Sequence, residues 1–254
     1  MANAFNYMFK DNKYGQKALV LALITLLTQL CYNTADMYKG CYSNIPPSSE
    51  YYILNILGTL IHMLAIGYGF ACIKALFEQN DNYILPFINF KNSFMLGLKN
   101  YIAIFLFTAI LAIITFIPVF IGYIIKMAPG VPLIITFIVL AATLIYIIIY
   151  TMAYAWIFAK TGSMTSYLRI RQATRLIKMN KGSYWKAIGL FVLLITIFAI
   201  PYVATTSICI AFVTNKIVYN VIISLAAALI TAYTSFVSFF ITAKAINPET
   251  AENI

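Results

Sequence analysis

The chain of 254 residues is 63% hydrophobic and 9% charged, with a mean hydropathy of +0.89 and a formal net charge of +10. These values exclude an ordinary soluble domain. The longest polar stretch, around Gly162 to Tyr184, is too short to bury a core of its own, so any activity must sit within an apolar bundle or on its rims.

From the N-terminus, residues 1–16 are polar and aromatic, with Phe5, Tyr7 and Phe9 beside Lys10 and Lys13, and lack the layout of a cleavable export signal. Six apolar stretches follow, at roughly 17–37, 51–77, 99–125, 131–159, 186–214 and 217–243. Each reaches the ~20 residues that an α-helix needs to cross a hydrocarbon layer of ~30 Å. The expected fold is therefore all-α: a polytopic membrane protein with six transmembrane helices in one domain over residues 1–254, both termini cytoplasmic.

Charge placement sets the orientation. Fourteen Lys/Arg fall on one side of this topology: Lys10, Lys13, Lys17, Lys74, Lys91, Lys99, Lys160, Arg169, Arg171, Arg175, Lys178, Lys181, Lys186 and Lys244. Lys39, Lys126 and Lys216 alone fall on the other, so the positive-inside rule puts the loaded side in the cytoplasm. The basic balance is an insertion signal rather than the footprint of a nucleic-acid partner.

Within the first two spans, Gln29 and Asn33 stand four residues apart and Asn55 and His62 seven apart, each pair on one helix face. The spacing predicts a polar seam between the two helices. One reading makes it interhelical hydrogen bonding, worth about 0.6 kcal/mol or somewhat more per bond; the other makes it a binding or proton-sensitive site centred on the lone histidine. Gly67 and Gly69 invite close helix packing, as do the hydroxyl residues Ser224, Thr231, Thr234, Ser235, Ser238 and Thr242 of the last span and Thr205, Thr206 and Ser207 of the fifth, for which the alternative is the lining of a polar path.

Sliding the segment from Lys91 onto that from Thr174 brings Tyr101 onto Tyr184 and Ile117-Pro118 onto Ile200-Pro201. The even-numbered spans end alike, in Ala71-Cys72-Ile73-Lys74, Ile157-Phe158-Ala159-Lys160 and Ile241-Thr242-Ala243-Lys244. Three copies of one hairpin are expected, over about 1–84, 85–164 and 165–254, each with an amphipathic lead-in at the membrane interface. Pro118 and Pro201 remove a backbone donor inside spans three and five, so kinks are expected there.

The richest lead-in is Ser166 to Lys181. Ile170, Ala173, Leu176 and Ile177 form an apolar stripe, interleaved with Arg169, Arg171, Arg175, Lys178 and Lys181. That pattern suits a helix lying in the interface with its cations toward anionic headgroups; the plainer alternative is a topology-setting anchor. A weaker lead-in is expected over Phe87 to Lys99.

Catalytic candidates are not found. Every Asp and Glu falls in a loop, a terminus or a span end, and no metalloprotease, nucleophile-elbow or phosphate-loop motif occurs. Cys31, Cys41, Cys72 and Cys209 show no metal-ligand spacing. A disulfide among Cys31, Cys41 and Cys209 competes with the reading of these residues as small buried hydrophobes. No cofactor or metal is expected.

The segment Phe5-Asn6-Tyr7-Met8-Phe9-Lys10-Asp11, then Gly67-Tyr68-Gly69-Phe70, then Tyr83-Ile84-Leu85-Pro86-Phe87, then Phe94-Met95-Leu96-Gly97-Leu98-Lys99 resembles the multi-pass proteins grouped as domain of unknown function 4013. Asn80-Asp81-Asn82 departs from the glycine expected before Leu85. The resemblance implies a protein of the prokaryotic cytoplasmic membrane and supplies no catalytic residues. A more distant similarity to membrane domains attached to glycerophosphodiesterases points toward lipid-facing work by analogy. The sequence thus leads to a non-enzymatic membrane protein that binds lipid or a membrane-protein partner. The alternative is a small transporter for an apolar or peptide-like substrate.

Overall fold

The computed structural model describes residues 11–38, 47–78, 84–124, 130–213 and 215–247. Six long helices run through them: α1 (Tyr14–Met37), α2 (Ser49–Glu78), α3 (Phe90–Ile124), α4 (Gly130–Thr161), α6 (Lys181–Phe212) and α7 (Lys216–Lys244). All six are long and apolar enough to cross a bilayer. Between α4 and α6 lie a short 3-10 helix (Met164–Leu168) and α5 (Ile170–Met179). No strand occurs among the described residues.

Local chemistry sets the boundaries. The Asn89 side chain accepts from the Asn92 N–H at 3.1 Å where α3 begins, and the Asn215 side chain accepts from Ile217 and Val218 at the start of α7, satisfying amides that have no carbonyl one turn back. α4 ends at Gly162, whose φ of +60° is the left-handed conformation that an L side chain resists, and whose N–H reaches back to the Phe158 carbonyl at 2.7 Å.

The lead-ins differ from expectation in one case. Phe87 to Lys99 is not a separate interfacial helix, because α3 runs unbroken from Phe90. Nothing from Phe90 to Lys99 interrupts helical hydrogen bonding, and Gly97 is tolerated at modest cost. At the other lead-in Asn180 makes the break. Its amide donates to the Leu176 carbonyl at 3.0 Å while its side-chain oxygen accepts from Asn247 N–H at 2.8 Å, so α5 stops and α6 starts in a new direction. Pro118 and Pro201 both lie inside helices that continue past them.

The chain packs α1 between α2 and α7, and brings α2, α4 and α7 together at the centre. Phe70 meets Phe158 at 4.6 Å between ring centroids, Phe77 meets Trp156 at 4.8 Å, and Tyr68 meets Phe236 at 6.3 Å. Tyr68, Phe158 and Phe236 are all buried, and each edge-on pair adds to the area it hides. This core lies toward one end of the bundle. The opposite parts of α3, α4 and α6 instead present Phe116, Phe120, Phe137, Ile200 and Ile210 outward, as helices facing hydrocarbon do.

α2 and α3 cross in direct backbone contact. A Cβ at Gly67 would collide with the Ser93 carbonyl, and one at Gly97 with the Met63 carbonyl. Without a hydrophobic drive between helices in lipid, such close approach supplies the van der Waals energy of association. Tyr14 on α1 packs against Phe236 of α7 at 5.5 Å and Tyr101 on α3 against His62 of α2 at 6.3 Å. Tyr184 on α6 donates to the Ile149 carbonyl of α4 at 2.6 Å.

Candidate functional site

Three polar links gather the loops and helix ends of one side into a common rim. Lys17 reaches Leu85, Tyr167 donates to Asn100 at 2.8 Å, and Ser183 donates to the Ala245 carbonyl at 3.1 Å. Thirteen of the described cations stand on this side: the fourteen of the sequence reading without Lys10, which lies outside the described residues.

The rim contains an ion pair that sequence reasoning missed. Lys17, in the first turn of α1, donates to Asp11 Oδ2 at 2.7 Å, and the two side chains are only 2% and 5% exposed. Both then close on the segment between α2 and α3: Lys17 Nζ donates to the Leu85 carbonyl at 2.5 Å, and Leu85 N–H donates to Asp11 Oδ2 at 3.0 Å. Asp11 Oδ1 accepts from Lys13 N–H at 2.9 Å. The Phe87 ring lies 4.6 Å from Lys17 Nζ and 5.4 Å from that of Lys13. Tyr68 donates to the Pro86 carbonyl at 3.1 Å.

Burial is the largest influence on the Asp11 carboxyl and pushes it upward. The bonds from Lys17, Lys13 and Leu85 together outweigh it and leave the group below its ordinary value. The carboxylate is charged at neutral pH, and the two buried charges, Asp11 and Lys17, are paired with each other. The signal was in the sequence: Asp11 is the sole acid ahead of the first span, and the Lys10-Asp11 and Leu85-Pro86-Phe87 motifs that carry the family resemblance supply two sides of this clasp.

The second feature is α5. Ala173 and Leu176 are buried against the bundle and Ile177 is half-buried, while Ile170, predicted for the same stripe, is exposed. Thr174 is bonded to the Tyr150 hydroxyl of α4 at 3.1 Å, which fixes the rotation of the helix. Arg171, Arg175, Lys178 and Lys181 are then exposed, and Arg169 at the N-terminal end is half-buried. Exposed Leu168, Ile170, Met179 and Trp185 stand among them. Among the described residues no carboxylate pairs with these five cations, whereas Lys17 and Lys74 have Asp11 and Glu78.

The predicted seam is not one seam. Asn33 donates to Ser224 of α7 at 2.8 Å and its carbonyl accepts from Asn220 at 3.3 Å. Gln29 faces a cavity of about 380 Å3 between α1, α6 and α7, beside Thr231, Thr234 and Ser238. Asn55 donates to the Tyr51 carbonyl of its own helix, and His62 packs on Tyr101 of α3. The α1–α2 polar contact is Tyr32 with Thr59, at 3.2 Å. Equal depth on two spans did not place these side chains face to face, because α1 also serves α7 and turns its polar residues there.

Cys31, Cys72 and Cys209 are free thiols, so no Cys31–Cys209 bridge forms; Cys41 lies outside the described residues. No cluster of three or more metal-ligating side chains occurs among the described residues.

Six apolar helices and a clustered basic rim define a polytopic α-helical membrane protein. The chain belongs to the family described as Protein of unknown function (DUF4013), which matches residues 51–210, more than half of its length. The matched range takes in Gly67 to Lys74, Leu85-Pro86-Phe87, Phe94 to Lys99 and all of α5; the Phe5 to Asp11 segment precedes it. No curated protein and no solved structure matches, so the similarity to glycerophosphodiesterase-associated domains gains no support.

Proposed function

We propose that the protein is a non-enzymatic integral membrane protein of the prokaryotic cytoplasmic membrane that binds anionic lipid headgroups through α5. The observation that carries this reading is the arrangement of α5 itself. Its buried face docks it on the bundle, and its remaining surface joins exposed apolar side chains to cations that no carboxylate among the described residues pairs. A helix that lies at the interface gains from both, since apolar side chains sink among the acyl chains while the cations meet phosphate.

The test is retention of lipid by the purified protein from vesicles of one part phosphatidylglycerol to four parts phosphatidylcholine. The parent should enrich phosphatidylglycerol, and a variant carrying Arg171→Glu, Arg175→Glu and Lys178→Glu should not, at unchanged helix content. Equal enrichment in both would reject the reading.

A second reading, a small transporter for an apolar or peptide-like substrate, draws on the cavity at Gln29 with its hydroxyl-bearing wall. Substrate-dependent protection of a cysteine placed at Thr231 would favour it.

A further inference from the structure

A crevice of about 480 Å3 lies between α3 and α4, walled by Ile104, Leu111 and Phe116 on one side and Leu140 and Ile147 on the other, with Tyr167 at its rim end. Its volume is that of a small-molecule site, which typically holds about 300–1,000 Å3. Six hydroxyls lie along it, and four of them are bonded within the protein. Thr115 and Thr151 donate to the Leu111 and Ile147 carbonyls of their own helices, Tyr154 is bonded to Tyr146, and Tyr167 donates to Asn100. Water, which needs two to four polar partners, has little to hold it there.

The crevice opens on helix faces that look outward to hydrocarbon, since Phe105, Phe116, Leu140 and Leu144 are all exposed. Left empty, its lining would forfeit dispersion contacts. Its rim end is different. Tyr167 stands two residues before Arg169, and Leu168, Arg169, Ile170 and Arg171 wall a surface hollow of about 540 Å3. An apolar slot whose rim end leads to two cations has the shape and polarity of one amphiphile with a negative head.

The geometry points to a discrete site for a single anionic phospholipid: one acyl chain lies in the α3–α4 crevice, and its phosphate is held by Arg169 and Arg171. This rests on the proposed affinity of the basic rim for anionic lipid, and adds to it a tail pocket that a merely charged surface lacks. Charge selects the lipid class, because a zwitterionic headgroup brings its own ammonium to the same cations.

The probe is phosphatidylglycerol, or phosphatidylcholine, with a photoactivatable diazirine midway along one acyl chain, in nanodiscs containing the full chain. Cross-linked peptides are located by mass spectrometry. The phosphatidylglycerol probe should concentrate on 104–116 and 140–151. Filling the slot by Ala112→Phe from one wall or Thr143→Leu from the other should reduce that labelling about tenfold, the equivalent of about 1.4 kcal/mol. Both positions line the crevice at the lipid-facing side, so neither change disturbs the core.

Phosphatidylglycerol enrichment that survives Ala112→Phe, with crevice labelling lost, supports the tail site. Enrichment with labelling spread evenly over the outward helices, or unmoved by both substitutions, overturns the tail site and leaves headgroup recognition standing. No preference between the two probes, in labelling or in enrichment, overturns both.

Discussion

Asp11 and Lys17 show how much one buried pair can organise. Taking two charges out of water costs several kcal/mol each, so the pair is tolerable only because Leu85 N–H and its carbonyl complete the bonding. Removing one partner leaves the other charged and buried. Lys17→Met or Asp11→Ala should each destabilise the protein by about 3 kcal/mol, and the double replacement by clearly less than their sum. Thermal unfolding in detergent checks the cycle; strict additivity would show that the two residues act separately. The pH dependence follows from the lowered Asp11 value. A carboxyl depressed below its ordinary 3.8 contributes stability that is present above that value and is lost as pH falls through its folded value. Stability should therefore be insensitive to this group from about pH 8 to pH 5 and decline below about pH 4, and Asp11→Asn should remove that acid limb.

At the scale of elements, the α2–α3 crossing is the contact least able to adapt. Gly67→Ala and Gly97→Ala each drive a methyl into a carbonyl of the facing helix, and overpacking of this kind costs about 1–3 kcal/mol even where side chains can yield. The atoms nearest to a methyl in Gly69→Ala belong to the ring of Phe239, a side chain that can rotate. Melting in detergent should rank Gly67→Ala and Gly97→Ala well below Gly69→Ala, and equal losses would contradict the backbone contact.

Much of this level was legible in the sequence. Spans expected at 131–159 and 217–243 are helices Gly130–Thr161 and Lys216–Lys244, because apolar length alone defines a membrane helix. The α5 stripe was readable from Ala173 and Leu176. What could not be read was which helix faces which. Apolar periodicity says that a residue is buried but not against what, so Asn33 was assigned to α2 when its partner is Ser224, 191 residues away. The Asp11 clasp was hidden for the same reason: one acid and one lysine near a span end look like topology signals until Leu85 is seen between them.

For the whole molecule, the decisive arrangement is α1 lodged between α2 and α7, with α2, α4 and α7 meeting at the centre. The first three helices and the last two therefore share a large interface that does not depend on the connection between α3 and α4. Residues 1–126 and 127–254, made as two polypeptides in one cell with a tag on the first, should assemble and copurify in mild detergent. Loss of the second half on purification would argue against the central packing of α2 with α7. Asn33→Leu, which removes a polar tie between α1 and α7, should lower the yield of the pair more than that of the intact chain, because the covalent link no longer compensates.

The α1–α7 contact also governs the timing of biogenesis. Lys17 can meet Leu85 as soon as the second helix has emerged, yet the flank of α1 that carries Asn33 has no partner until the final helix is synthesised. Through most of translation that amide faces lipid or a helper protein instead of Ser224. A nascent chain stalled before α7 thus displays a polar side chain within the bilayer, the kind of mark by which insertion machinery and membrane proteases distinguish an unfinished protein from a finished one.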